Sequence, residues 1–376
     1  MLRGEVASPI HWWVSTCFFP PLPGVAAFRS GSYIGGRMGH PAIENRTPFA
    51  FEPLALADEQ MHPLLALVVK GTYAIGPQGL QLAEEQAPLC LAGQPWGEPE
   101  KSSYRYEPEC AFTKPATDVV LVGHAHAPSK DTRELSVSLR VGPVQKAVRV
   151  LGERVWFKSM GTVAMTKPLP FERLPLVYER AFGGWDRSAP DSKAHTFEPR
   201  NPVGVGFRAS ARNFEEGLRL PNLEDPAHPI KHFGQIVPPV GFGFISPHWQ
   251  PRAALAGTYD ETWSQQRSPL LPGDFDRRFF NAASPGLVVP GYLRGDETVL
   301  LTHASRHERL VFNLPAQLPP KVTVRLAASE DAHPPLHLDT CIIDMDAELL
   351  FLIWRGHVAL RSGPDDVWAI EVKTGE

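Results

Sequence analysis

His124 and His126, in the string GHAHAP, stand two residues apart. On a strand such residues project to the same face and could share a zinc ion. A third ligand would have to come from His303, His307 or an aspartate, and no spacing in the chain supplies it. His303 and His307, four apart, would be neighbours only on a helix. They fall between two predicted strands, which makes their segment a hairpin loop, so the pattern favours two structural histidines near a strand edge over a metal centre.

Carboxylates cluster at Asp260, Glu261, Asp274 and Asp276. Two acids ~5 to 9 Å apart are what a glycosidase requires. Arg277 and Arg278 stand beside Asp274 and Asp276, however, and carboxylates in such loops fix backbone amides and pair with arginines such as Arg252 and Arg267. No GxSxG elbow or catalytic cysteine signature supplies a nucleophile. GVGF (204–207) and GFGF (241–244) lack the lysine and the strand-to-helix setting of a phosphate loop. Their glycines are expected to permit positive φ or close backbone packing beneath Phe207, Phe242 and Phe244. Cys17, Cys90, Cys110 and Cys341 show no metal-ligand spacing. A Cys90–Cys110 bridge is conceivable, but buried thiols in a reducing cytoplasm are the preferred reading. A non-enzyme without metal or cofactor is therefore expected.

The elements that would position these residues are mostly strands. In ELSVSLRVG, Leu135, Val137, Leu139 and Val141 alternate with Ser136, Ser138 and Arg140, the period of a half-buried strand. LLALVVKGTYAI (Leu64 to Ile75) reads as a buried strand closed by a turn at Gly76 and Pro77. Residues 76–116 read as an irregular excursion carrying Trp96, Tyr104 and Tyr106. Asp118 to His126, Ala147 to Val150 and Arg154 to Phe157 continue the meander. Strands resume at Thr298–Thr302, Arg309–Asn313, Val322–Leu326, Leu336–Asp344, Glu348–Trp354 and Val367–Val372. Helices are expected only at Asp260–Gln266, capped by Asp260 with Trp263 facing inward, and at Phe275–Ala282.

Composition agrees with that picture. Prolines number 39 in 376 residues, roughly twice the usual share, which disfavours long helices. With 43% hydrophobic residues the chain can bury substantial cores. Its 37 basic and 41 acidic residues give a formal charge of −4, which is no nucleic-acid footprint. The longest apolar run, Leu64 to Val69, is too short to cross a bilayer. The first residues, with His11, Trp12, Trp13 and then CFFPPLPGVAAF, lack the regions of a signal peptide. The expectation is a mis-assigned start, with Met38 preceding AIENRTPFAFE and residues 1–37 absent from the native protein or disordered. The expected fold is mainly β: two β-rich, sandwich- or barrel-like units with long Gly/Pro-rich loops and few short helices. An N-terminal β domain (38–165), a loop-rich region (166–295) and a C-terminal β region (296–376) packing with it are the expected divisions.

The loop-rich region holds the strings YERAFGGWD (178–186), EPRNPVGVGF (198–207), LPNLEDP (220–226), PVGFGFI (239–245), AGTYDETW (256–263) and LLPGDFDRRFFN (270–281). Glycine and proline there fix bends, and interleaved polar and aromatic residues can bond to them. Trp185, Arg200, Trp249, Arg252 and Trp263 are of the types that fill protein interface centres or stack in loop-rich cores. Arg180, Asp186, Asn201, Asp225, Asp260, Asp274, Asp276 and Arg277 complete the set expected to bind a partner or organise the loops.

Together with GTYAI (71–75), DVVLVGHAHAP (118–128) and DTCIID (339–344), these strings resemble a large bacterial family long labelled a domain of unknown function and associated with type VI secretion gene clusters. The resemblance runs from about Pro41 onward. It implies a cytoplasmic adaptor or chaperone that binds a toxin or PAAR-linked effector and helps load it onto the VgrG spike, with protein partners and neither nucleic acid nor membrane. No catalytic residues carry over from it. The alternatives from other classes are a carbohydrate-active or metal-dependent hydrolase and a structural component of the secreted spike.

Overall fold

The computed structural model describes residues 41–77 and 79–375. The expected extension over 1–37, the start at Met38 and Cys17 lie outside them. The fold is mainly β, as expected. Its largest sheet places the strands in the order Ala50–Ala57, Pro63–Gly76, Leu349–Ala359, His337–Asp344 and Asp118–Val122, with Gly79–Leu82 added to the far end of Pro63–Gly76. All neighbours are antiparallel except Asp118–Val122, which runs parallel to His337–Asp344 with Val120 opposite Ile342. The strand Pro63–Gly76 is buried on both faces over most of its length, which is why it reads as a continuous apolar run.

A second sheet orders Leu223–Glu224, Val144–Leu151, Glu134–Val141, Thr298–Thr302 and Arg309–Asn313, antiparallel throughout. Here the alternation is realised: Val137, Leu139 and Val141 are fully buried while Ser136 and Arg140 face solvent. A third sheet joins Ala42–Asn45, Val367–Lys373 and Lys321–Leu326. Strands from 38–165 and from 296–376 thus pair within the same sheets, and all three sheets contribute to one apolar core. Fully buried Leu67, Leu121 and Leu139 each contribute roughly 1.5–3 kcal/mol through burial. Gly71 of GTYAI fits between Phe49 and Trp354, whose rings would lie 3.1 Å from any added Cβ.

Three local expectations need correction. The run Asp118–His126 is broken at Gly123 (φ 151°), and its second half, His124–His126, pairs with Arg173–Pro175. Within 76–116 a short hairpin forms, pairing Gln94–Pro95 with Tyr104–Tyr106. The expected helix at Phe275–Ala282 is a single 3-10 turn, Arg277–Phe280, because Asp276 caps it at one end and Asn281 is extended at the other. Glu261–Gln266, capped by Asp260 with 2.8 Å to Trp263 N, is the one α-helix among the described residues. Trp263 is half-buried, its indole donating to the Leu270 carbonyl at 2.8 Å.

Candidate functional site

The strings YERAFGGWD and EPRNPVGVGF fold into one knot centred on Asn201. The amide of this fully buried residue donates to the carbonyls of Tyr178 (2.8 Å) and Phe182 (3.0 Å). Phe182–Gly183 pairs in parallel with Val205–Gly206. The glycines are needed for proximity: a Cβ on Gly204 would sit 2.4 Å from the Asn201 amide nitrogen, and one on Gly184 (φ 90°) 2.3 Å from the Gly204 carbonyl oxygen. Arg200 grips the buried Glu198 with both Nε (2.6 Å) and Nη2 (2.8 Å). Arg180 bonds Glu153 and Asn222. Trp156, Phe182, Phe207, Leu220, Ile230 and Val237 form an apolar cluster beneath these loops.

Asp186 is buried and ties three pieces of chain together. Its carboxylate accepts from the Ser188 hydroxyl (2.7 Å) and backbone (3.1 Å), the Ala209 backbone (2.9 Å) and the Asn213 amide (2.7 Å). Burial pushes its pKa up, but these hydrogen bonds outweigh that and hold it at about 2. Its neighbour Trp185 points the other way. Trp185 is 42% exposed and stands directly across a two-residue ladder from Phe197, 41% exposed, with ring centroids 4.6 Å apart.

A second group is wholly internal. Arg252 is buried, donating to Glu107, to the Phe279 carbonyl (2.7 Å) and to the Ile245 carbonyl (2.7 Å). Trp249 packs edge-on against Tyr178, with centroids 5.6 Å apart. The Asp118 carboxylate holds Lys114 (2.7 Å), the Asn281 amide (3.0 Å) and the backbones of Ala282 (2.9 Å) and Ala283 (3.2 Å). Lys114 reaches on to Thr340 (3.0 Å), Thr340 to Asp339 (2.8 Å), and Asp339 to Arg355 (2.6 Å). This buried polar seam ties DVVLVGHAHAP and DTCIID, whose strands lie in the large sheet, to the end of LLPGDFDRRFFN. Sequence reasoning missed Glu107, Lys114 and Arg355. The available signal was a charged residue flanking an apolar strand, which a buried strand end must pair.

The carboxylate cluster dissolves into separate roles. Asp274 accepts from the Thr258 backbone (2.9 Å) and hydroxyl (2.7 Å), and Asp276 from Arg278 at its backbone (2.9 Å), Nε (2.9 Å) and Nη2 (2.6 Å). The expected partners Arg252 and Arg267 are engaged elsewhere, Arg267 with the Leu271 carbonyl. Thr258 lowers the pKa of Asp274 and Arg278 that of Asp276. A general acid needs the opposite shift. Arg277 bonds Glu59 and lies over Phe112, and Asp225 holds His228 (2.9 Å) and Ala227 N (2.9 Å).

The chain does bring His303 beside His126, whose backbone N donates to the His303 carbonyl at 2.8 Å. The rings are engaged separately: His303 Nδ1 with the Ser136 carbonyl (3.1 Å), His124 Nδ1 with Asp346 (2.8 Å). Among the described residues no three His, Cys, Asp or Glu side chains converge on a common point. Burial, with the Arg173 charge next, keeps the pKa of His126 below its usual value. Cys90 and Cys341 are free thiols, and burial pushes Cys341 up to about 12. No helix among the described residues is long and apolar enough to cross a membrane.

A family model described as an uncharacterized protein conserved in bacteria (DUF2169) matches residues 60–355. No curated protein and no solved structure matches the chain.

Proposed function

We propose, from the premise that this chain belongs to that conserved bacterial family, that it is a non-enzymatic docking protein. It would be a cytoplasmic type VI secretion adaptor that binds a toxin or PAAR-linked effector and assists its loading onto the VgrG spike. The type VI assignment rests on the motif resemblance. The observation that supports docking is the use of the signature side chains. Asp186 and Asn201 spend their hydrogen bonds on backbone and neighbouring loops, and the loops they hold carry the exposed rings of Trp185 and Phe197, while Arg252, Asp274 and Asp276 brace loops elsewhere.

Such loops lose little entropy when a partner arrives, so their contacts translate efficiently into affinity. A client would be covered before loading and released when the spike offers a better-matched surface. The test is affinity purification of the tagged chain from its native host. Co-purification of an effector, PAAR or VgrG protein is the expected result, and a repeated absence of all three overturns the proposal. Recovery of the chain with the effector in culture supernatant would instead make it a component of the secreted spike.

A further inference from the structure

We infer that the Trp185–Phe197 pair, with the Arg187 guanidinium over it, forms the docking site for an extended, acidic protein segment that carries an aromatic or aliphatic side chain among its carboxylates. The inference rests on the docking function proposed above and names the chemistry of the partner.

Each exposed ring is followed in the chain by a buried carboxylate, Trp185 by Asp186 and Phe197 by Glu198. The rings therefore stand on a base fixed from below. Asp186 is held by four hydrogen bonds and Glu198 by the two-pronged Arg200. Two large rings at about two-fifths exposure, tilted by 32° and already in contact, offer apolar area without an ordering cost.

One cation lies over the pair and other basic residues share its loops. Asp186 gathers three pieces of chain through Ser188, Ala209 and Asn213, and each of these is preceded by an arginine: Arg187, Arg208 and Arg212. Among the described residues none of the three pairs with a carboxylate; the ion pairs nearby belong to Arg200 and Arg180. Arg187 lies over Trp185 at 5.4 Å, which leaves its N–H edge free for a carboxylate. Lys193 is exposed in the turn joining the two strands. Asp191, the one acid in that turn, accepts from the Lys193 backbone. Arg208 is half-buried and donates to the Phe207 carbonyl at 2.9 Å, so an acidic segment meets Arg187 at the rings and the exposed Arg212 in the same loops, and its apolar side chain meets the rings. Cations beside stacked rings also suit single-stranded nucleic acid, but the chain carries a net charge of −4.

The test is fluorescence anisotropy with the full chain and three labelled probes: a peptide alternating Asp or Glu with Phe and Leu, the same peptide with Lys for each acid, and oligo-dT. The acidic peptide is expected to bind, to lose about tenfold or more in affinity on Trp185→Ala and again on the double change Arg187→Glu, Arg212→Glu, and to weaken with salt. These side chains are exposed, so the thermal midpoint of each variant should match the native chain. No binding of the acidic peptide, equal binding of the lysine peptide, tighter binding of oligo-dT, or full binding by Trp185→Ala overturns the site. Effector co-purification is scored separately: if it survives in Trp185→Ala, the docking function stands and this site falls.

Discussion

Asn281 and Asp118, 163 residues apart in the chain, meet through a 3.0 Å hydrogen bond at the end of the large sheet. Asp118 is fully buried and its carboxylate also carries Lys114 and two backbone amides. Asp118→Ala would leave the Lys114 ammonium buried beside Thr340 without its counter-charge. A loss of about 3–5 kcal/mol is expected, read from the urea midpoint. Replacing both partners, Lys114→Met with Asp118→Leu, should recover part of it. A loss below about 1 kcal/mol for the single change would contradict the seam.

Asp186 makes stability sensitive to acid. Its folded pKa of about 2 lies below the ordinary value of 3.8, so the unfolded chain takes up the proton first as pH falls. The contribution is therefore complete above about pH 4 and is lost as pH drops toward 2, amounting to about 2 kcal/mol. Asp186→Asn should be less stable at neutral pH by about that amount and show a flatter stability profile below about pH 4. Urea unfolding at graded pH reads both.

Gly204 tests the knot around Asn201. With Ala181 O 2.7 Å and the Asn201 amide 2.4 Å from an added Cβ, Gly204→Ala should cost about 2–3 kcal/mol. Gly273→Ala, whose Cβ meets nothing within 4 Å, should change stability by less than about 0.5 kcal/mol. Equal effects would show that the loops yield.

Asp276 separates docking from hydrolysis. As the cap of the turn Arg277–Phe280, its replacement by alanine should cost about 1 kcal/mol and leave effector co-purification intact. Carbohydrate turnover by the native chain that disappears in Asp276→Ala would establish an enzyme.

Much of the strand content was legible because alternation is local: Glu134–Val141 announces itself in eight letters. Thr298–Thr302 is legible as a strand too, but not as its partner, since register depends on where the intervening chain returns. The candidate site was legible by residue type and not by role. Trp185 and Trp249 look equivalent in sequence, yet one is exposed and the other packs on Tyr178. Arg252 was expected near Asp274 or Asp276 and goes to Glu107, 145 residues away. Side-chain type gives a charge and a reach; only the fold gives the neighbour.

The pairing of Gly71 with Leu352 in the large sheet has a bearing on biosynthesis. A ribosome delivers the strand Pro63–Gly76 long before Leu349–Ala359 emerges to cover it, so an apolar edge waits unprotected while some hundreds of codons are read. Slow maturation and dependence on general folding helpers during synthesis are the natural cost of that connectivity.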